Sequence, residues 1–170
     1  MSKSTTTKHS KEDQKNLGKK LGEVLGLERA AQKAVEELIS MKLLKSDTKD
    51  EAKEIQDEAK SHEEQIQEVI TNLSEDKDIK LDKDEVEETA KETEEKATKM
   101  MKIYLGKEPD TSEAVEFLCL AEGGEVTHYE VLSSICKKFD VKKLTSTVSS
   151  ILKEEQDHLK RCTELATKAV

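Results

Sequence analysis

The chain has 170 residues, enough for one domain with a proper core and not comfortably enough for two. With 34% apolar and 39% charged residues, one Pro, six Gly, two Tyr, two Phe and no Trp, it excludes collagen-like, disulfide-stapled and membrane-spanning designs. It also disfavours a sheet-rich fold, because strands draw on aromatic and β-branched residues. A formal net charge of −9 repels phosphate backbones and anionic lipid, so nucleic acid and membrane are not expected partners, whereas cations are.

Residues 1–18, rich in Ser, Thr and Lys and without periodicity, are expected to form a disordered polar tail, His9 within it solvated. Residues 19–170 form the predicted domain. Apolar positions Val24, Leu27, Ala31, Ala34, Leu38 and Met41 follow the three-four spacing of one helix face and predict a first helix over about 19–45. Gly18, Gly22 and Gly26, four apart near its start, read either as a site of close helix approach or, more commonly in a water-soluble chain, as a late helix start. A turn at SDTKD follows, with Thr48 and Glu51 spaced as a capping box. The second helix runs to about Leu73, its stripe at Ala52, Ile55, Ala59, His62, Ile66, Val69 and Leu73.

Residues 74–84 are a charged linker. Asp76, Asp78 and Glu87 imitate a calcium loop, but Lys80 and Leu81 occupy positions that such a loop reserves for a ligand and a glycine, so that motif is rejected. Asp82 and Glu85 open a short charged helix to about Tyr104 that reads as a connecting piece. GKEPD breaks the chain, and Asp110 with Glu113 has capping-box spacing. Two further helices follow, about 112–139 and from Val141 onward, with a turn near Asp140. Four long helices with short, long and short connections describe an all-α four-helix bundle of two antiparallel hairpins, with a long crossover containing a short extra helix. Cys119, Cys136 and Cys162 lie in helical apolar patterns without a CxxC pair and read as buried reduced thiols. The absence of a spanning run or of an apolar signal centre near the first residue predicts a cytoplasmic protein.

The apolar stripes are interrupted at His62, Glu122, Glu125, Glu155 and His158, positions that face the bundle interior by phase. An isolated buried carboxylate costs several kcal/mol, so such a set calls for a compensating charge. Folding the last hairpin near Asp140 sets Glu125 opposite Glu155 and Glu122 opposite His158. Folding the first near residues 46 and 47 brings Glu28 close to the height of His62. Each set lies roughly 15 to 18 residues from its turn, about 25 Å along the helix, so all can meet in one layer.

Glu155 and His158 form an ExxH pair, as do Glu125 and His128. Residues three apart on a helix point the same way and can hold one metal ion jointly. A Glu from each of two helices plus an ExxH from each of the other two holds a pair of metal ions in four-helix proteins. In this respect the chain resembles the carboxylate-bridged dimetal proteins of the ferritin-like superfamily. Within it, residues 125–166, EVTHYEVLSSICKKFDVKKLTSTVSSILKEEQDHLKRCTELA, are similar to the stress-associated YciE/YciF group. The likeness covers about 112–168 well and 24–73 more weakly. The sequence departs from the pattern at position 59, where Ala stands in place of Glu, leaving open whether Glu58, Glu63 or Glu64 substitutes. It departs again at Thr127, where the group often has Glu.

The resemblance implies two iron or manganese ions held by Glu28, His62, Glu122, Glu125, Glu155 and His158, with Glu122 or Glu125 bridging. Glu28 is chosen partly by that analogy. Glu58, His128 and Tyr129 stand as residues supporting the ligands, Tyr129 otherwise as core packing or an electron donor. The implied activity is oxygen or peroxide handling, or metal oxidation, in oxidative or general stress, with metal ions and small oxidants as partners and a homodimer as the base-rate assembly. Whether the chain is an enzyme is left open. The alternative is a non-catalytic interaction bundle whose buried Glu and His residues only specify register.

Overall fold

The computed structural model describes residues 9–169. Within that range the regular structure is entirely helical: α1 (Lys11–Ser40), α2 (Ser46–Glu75), α3 (Lys83–Leu105), α4 (Thr111–Cys136) and α5 (Lys142–Ala169). No described helix is long and apolar enough to cross a membrane. Cross-helix pairs give the directions. Arg29 meets Glu63 and Gln32 meets Gln56, so α1 and α2 are antiparallel. Arg161 meets Glu58, His62 meets Glu155 and Lys143 meets Glu68, so α5 runs against α2. Lys138, just past α4, bonds Asp13 and Tyr129 bonds Glu28, so α4 runs against α1.

Helix ends follow local chemistry where that chemistry exists. Asp110 accepts from the Glu113 amide while Glu113 bonds the Asp110 amide, completing the predicted capping box. Asp82 accepts from the amides of Asp84 and Glu85. Gly106, at φ 64°, ends α3 in the left-handed region that costs glycine little. The Thr48–Glu51 box does not form. Helix α2 already begins at Ser46, and its N-cap, Lys45, makes no side-chain capping bond.

The predicted tail is shorter than residues 1–18. Residues 1–8 lie outside the described range, but Ser10 caps α1 by accepting from the Asp13 amide, and Leu17 and Gly18 are buried. Leu21 and Leu17 extend the apolar stripe one and two turns upstream of Val24. His9 is not merely solvated, since its ring lies 4.4 Å from that of Phe139.

The crossover helix is not a mere connector either. Helix α3 has 23 residues, runs parallel to α1 and buries Val86, Ala90, Met101 and Leu105. Glycine makes this contact. A Cβ on Gly22 would stand 2.6 Å from the Val86 carbonyl oxygen, and one on Gly26 would collide with the Ala90 carbonyl. Gly22 and Gly26 therefore mark close backbone approach, Gly18 packs on the side chains of Leu81 and Val86, and none marks a late helix start, because α1 is helical through all of them. Arg29 locks the same junction with two bonds to Glu87, at 2.7 and 3.2 Å, and one to Glu63 at 2.9 Å.

The apolar interior falls into two clusters. One gathers Leu17, Leu21, Ile66, Leu132, Val148 and Ile151, and the other Val35, Leu38, Ile55, Val115, Leu118 and Cys162. On each of the four bundle helices, the residues between the two clusters are the polar interruptions of the stripe.

The two kinds of helical glycine make opposite predictions. Gly22→Ala must displace α3 backbone and is expected to destabilise by about 1–3 kcal/mol. Gly124→Ala, whose Cβ meets nothing within 4 Å, is expected to stabilise by about 0.5–1 kcal/mol. Urea unfolding midpoints of the two variants against the parent chain check both signs.

Candidate metal centre

Six polar or charged residues are buried among those described, and they are Glu28, His62, Glu122, Glu125, Glu155 and His158. None is more than 2% exposed. Helix α1 supplies Glu28, α2 His62, α4 the two glutamates one turn apart, and α5 the ExxH pair. All six point between the two apolar clusters, so the layer read from stripe phase forms in space.

The layer contains two trios. Ligand-type atoms of Glu28, His62 and Glu155 lie within 4.8 Å of one another, and so do those of Glu122, Glu155 and His158. Glu155 is the residue common to both, its oxygens lying 2.7 Å from His62 Nδ1 and 3.5 Å from His158 Nδ1. The rings of His62 and His158 stack with centroids 5.6 Å apart and planes 21° from parallel.

Both histidines turn Nδ1 inward and Nε2 outward. His62 Nδ1 lies 2.7 Å from Glu155 Oε1 and 3.5 Å from Glu28 Oε1. Its Nε2 bonds Glu154 Oε2 at 2.9 Å. His158 Nδ1 is 3.4 Å from Glu122 Oε2 and 3.5 Å from Glu155 Oε2, while its Nε2 bonds Glu58 Oε2 at 2.8 Å. Outer carboxylates of this kind fix the tautomer and orientation of a ligating imidazole. Arg161 in turn donates to Glu58 at 2.9 Å.

Glu58 thus supports His158 and does not replace the carboxylate missing at Ala59. Glu63 is taken by Arg29 and Gln32, and Glu64 is exposed. Glu154 is a supporting residue that helix phase does not reveal. It sits on the exposed side of α5, and only the neighbouring α2 makes it a partner of His62. Tyr129 is fully buried and donates its hydroxyl to Glu28 Oε1 at 2.5 Å. His128 leaves the layer. Its Nδ1 is 3.4 Å from Lys20 Nζ and 3.4 Å from Glu23 Oε2. The Glu125–His128 pair is not a joint ligand pair, because Tyr129, four residues on, takes the inward position.

The protons of the layer follow from burial and proximity. Burial and the Glu155 charge raise the Glu28 carboxyl to about 8 despite the pull of His62 and Tyr129. Burial chiefly raises Glu122 to about 7, against its contact with His158. Glu125 is held well above its ordinary value by burial and by Glu155, Glu122 and Glu28. For His62 burial opposes the charge, but Glu155 and Glu28 outweigh it and raise the ring to about 11. His158 is raised to about 10 by Glu122 and Glu155 in the same way. Burial works against the Glu155 carboxylate as well, yet its two imidazolium partners lower it to about 2.

These residues could hold metal ions, by a criterion internal to the chain. The buried atoms without a hydrogen-bond partner are Glu28 Oε2, Glu122 Oε2, Glu155 Oε2 and His158 Nδ1. All four belong to the trios and all are oxygen or imidazole nitrogen donors, the ligand chemistry of iron, manganese and zinc. Four ionised carboxylates beside neutral imidazoles match the charge of two divalent cations.

The shifts fix the sign of a pH dependence. Glu28, Glu122 and the histidines hold protons more tightly folded than unfolded, so their stabilisation of the metal-free chain is full at low pH. It is lost as pH rises, from the ordinary 4.5 of Glu towards about 8 and 7, and from the ordinary 6.5 of His towards about 11 and 10. Glu155 acts oppositely, its contribution present above 4.5 and lost towards about 2. The melting temperature of the metal-free chain is therefore expected to fall between about pH 5 and pH 9. Metal affinity is expected to rise over that range, because protons compete for the ligands. Calorimetric melts and metal titrations at several pH values measure both.

No family model, curated protein or solved structure matches the chain, so the metal-holding capacity of the layer stands on its own side chains.

Proposed function

We propose that this chain is a ferritin-like bundle protein whose buried layer holds two iron or manganese ions, and that it handles oxygen or peroxide, or oxidises metal, in oxidative or general stress. The observation that carries this reading is that all six buried polar or charged side chains described belong to one layer, five of them arranged as two trios sharing Glu155. A cation at its centre would offset the cost of burying so many carboxyl groups together.

In this reading Glu28, His62 and Glu155 hold one ion, and Glu122, His158 and Glu155 the other. Glu125 supplies the fourth carboxylate. A four-helix dimetal centre of the expected type uses four glutamates and two histidines. The same inventory is present here, with Ala59 lacking its carboxylate and Glu125 adding one. Tyr129 orients Glu28 through its hydroxyl, and Glu154 and Glu58 hold the imidazoles with Nδ1 facing inward. Bound Fe(II) or Mn(II) with open coordination positions supplies the capacity to reduce oxygen or peroxide. The apolar clusters on both sides exclude bulk water from the layer. The free thiols Cys119, Cys136 and Cys162 agree with a reducing compartment, the cytoplasm.

A second reading has its own support. The histidines already bond carboxylates on both ring nitrogens or face them, so a protonated layer neutralises much of its own charge. On that reading the chain is a non-catalytic interaction bundle. Elemental analysis of protein from iron- and manganese-supplemented cells separates the two. The metal reading expects about two ions per chain, and a stability gain of about 2.7 kcal/mol at a metal concentration one hundred times Kd. The double variant Glu155→Leu with His158→Leu is expected to abolish both. Well under one ion per chain, with a melting temperature indifferent to added metal, overturns it. A stabilised double variant then favours the interaction bundle.

A further inference from the structure

A cavity of about 190 Å³ opens between α1, α3 and α4. Its walls are short side chains, Ala31 and Ala34 from α1, Ala97 from α3, Ala121 and Gly124 from α4, and its buried wall includes Glu125. Met100 and Leu120 line it as well, 59% and 50% exposed to solvent. The other polar residues around it, Lys33, Glu37, Thr98 and His128, are half-buried or exposed, and Glu125 is the buried one.

Gly124 makes this space more than a packing gap. A glycine inside a helix costs about 1 kcal/mol relative to alanine, and Gly22 and Gly26 offset that cost by admitting the α3 backbone. Gly124 admits nothing: a Cβ there would meet no atom within 4 Å. Its missing side chain leaves the cavity open beside Glu125. The size is informative, since an apolar cavity of about 150 Å³ takes up benzene. About 190 Å³ therefore accommodates one aromatic ring with a small substituent. Met101, also in the wall, offers a thioether, which packs favourably against aromatic rings. Mostly apolar walls with a single buried polar group are the usual make-up of a small-molecule site.

We propose that this cavity binds a single-ring aromatic compound bearing a hydroxyl group, with its ring among the alanines and its hydroxyl hydrogen-bonded to the Glu125 carboxyl. The ligand would sit beside the polar layer but not within either trio, so binding does not require the metal reading to hold.

Phenol is the probe, titrated calorimetrically into the full chain with and without bound metal, and toluene is the comparison. Saturable binding of one phenol per chain is expected in both preparations. Gly124→Leu fills the cavity and is expected to weaken phenol at least tenfold while helicity and melting temperature are kept. Glu125→Leu is expected to weaken phenol about tenfold and leave toluene within about twofold, as the loss of one hydrogen bond requires. The proposal is overturned if phenol does not saturate, or if Gly124→Leu binds it as the parent does. It is equally overturned if Gly124→Leu changes self-association in sedimentation without changing phenol binding, which would assign the cavity to a second copy of the chain. Failure of metal loading leaves these outcomes untouched, and failure of phenol binding leaves the metal count untouched.

Discussion

Four carboxyl groups and two imidazoles share one slice through the middle of the bundle, and the charge that settles among them governs the rest of the molecule. In a layer this dry the carboxylates cannot all ionise side by side. Without a cation, protons solve the problem. Glu155 stays anionic between two imidazolium rings, while Glu28, Glu122 and Glu125 are pushed towards their neutral forms. On the proposed reading, divalent cations displace protons from the same atoms, so that metal occupancy, protonation and stability become three views of one equilibrium.

The layer is positioned by contacts outside it. Glu28 is held by α1, and α1 is clamped along its length by α3, where Gly22 and Gly26 let the two backbones meet. Arg29, next in sequence to Glu28, reaches α2 through Glu63 and α3 through Glu87. The crossover helix thus reaches the layer without contributing a ligand-type atom to it. On the far side Arg161 gathers Glu51, Glu54 and Glu58, and Glu58 carries that ordering to His158. The first support acts through the backbone beside Glu28 and the second through the hydrogen-bond partner of His158, the latter a common way of fixing the geometry of long side chains.

The layer was readable in the sequence because stripe phase and hairpin register are both local rules. Glu122, Glu125, Tyr129, Leu132 and Cys136 alternate threes and fours, and that rhythm alone places Tyr129 inward and His128 outward, a reading that the ExxH spacing obscures. The pairings of Glu122 with His158 and Glu125 with Glu155 needed only the position of one turn. What escaped depends on neighbours distant in the chain. Glu154 looks like any exposed glutamate until α2 lies beside it. Gly22 and Gly26 look like helix weakeners until α3 fills the space where their side chains would be. The early start of α1 was hidden by a polar first turn, although Ser10, Asp13 and Leu17 carried the signal.

The corners of the bundle do not contribute equally to the acid of the layer. Helices α2 and α4 lie on opposite corners of the bundle, each packed on both α1 and α5 or facing them through the layer. The α2 corner gives the layer His62 and carries Ala at position 59, whereas the α4 corner gives it both Glu122 and Glu125, so the buried acid is unevenly spread across the diagonal. The α2 corner is the one where Glu58 and Glu154 stand half-exposed beside the histidines. The α4 corner is the one where small residues from three helices leave an apolar opening. A carboxyl group at the first corner would have joined a face already crowded with negative charge. At the second it is the buried polar group of an otherwise apolar recess. Buried acid at the α4 corner rather than the α2 corner therefore avoids further repulsion along the α2 and α5 seam and places a polar group beside the α1, α3 and α4 recess, so the charge distribution of the layer and the chemistry of the cavity are set together.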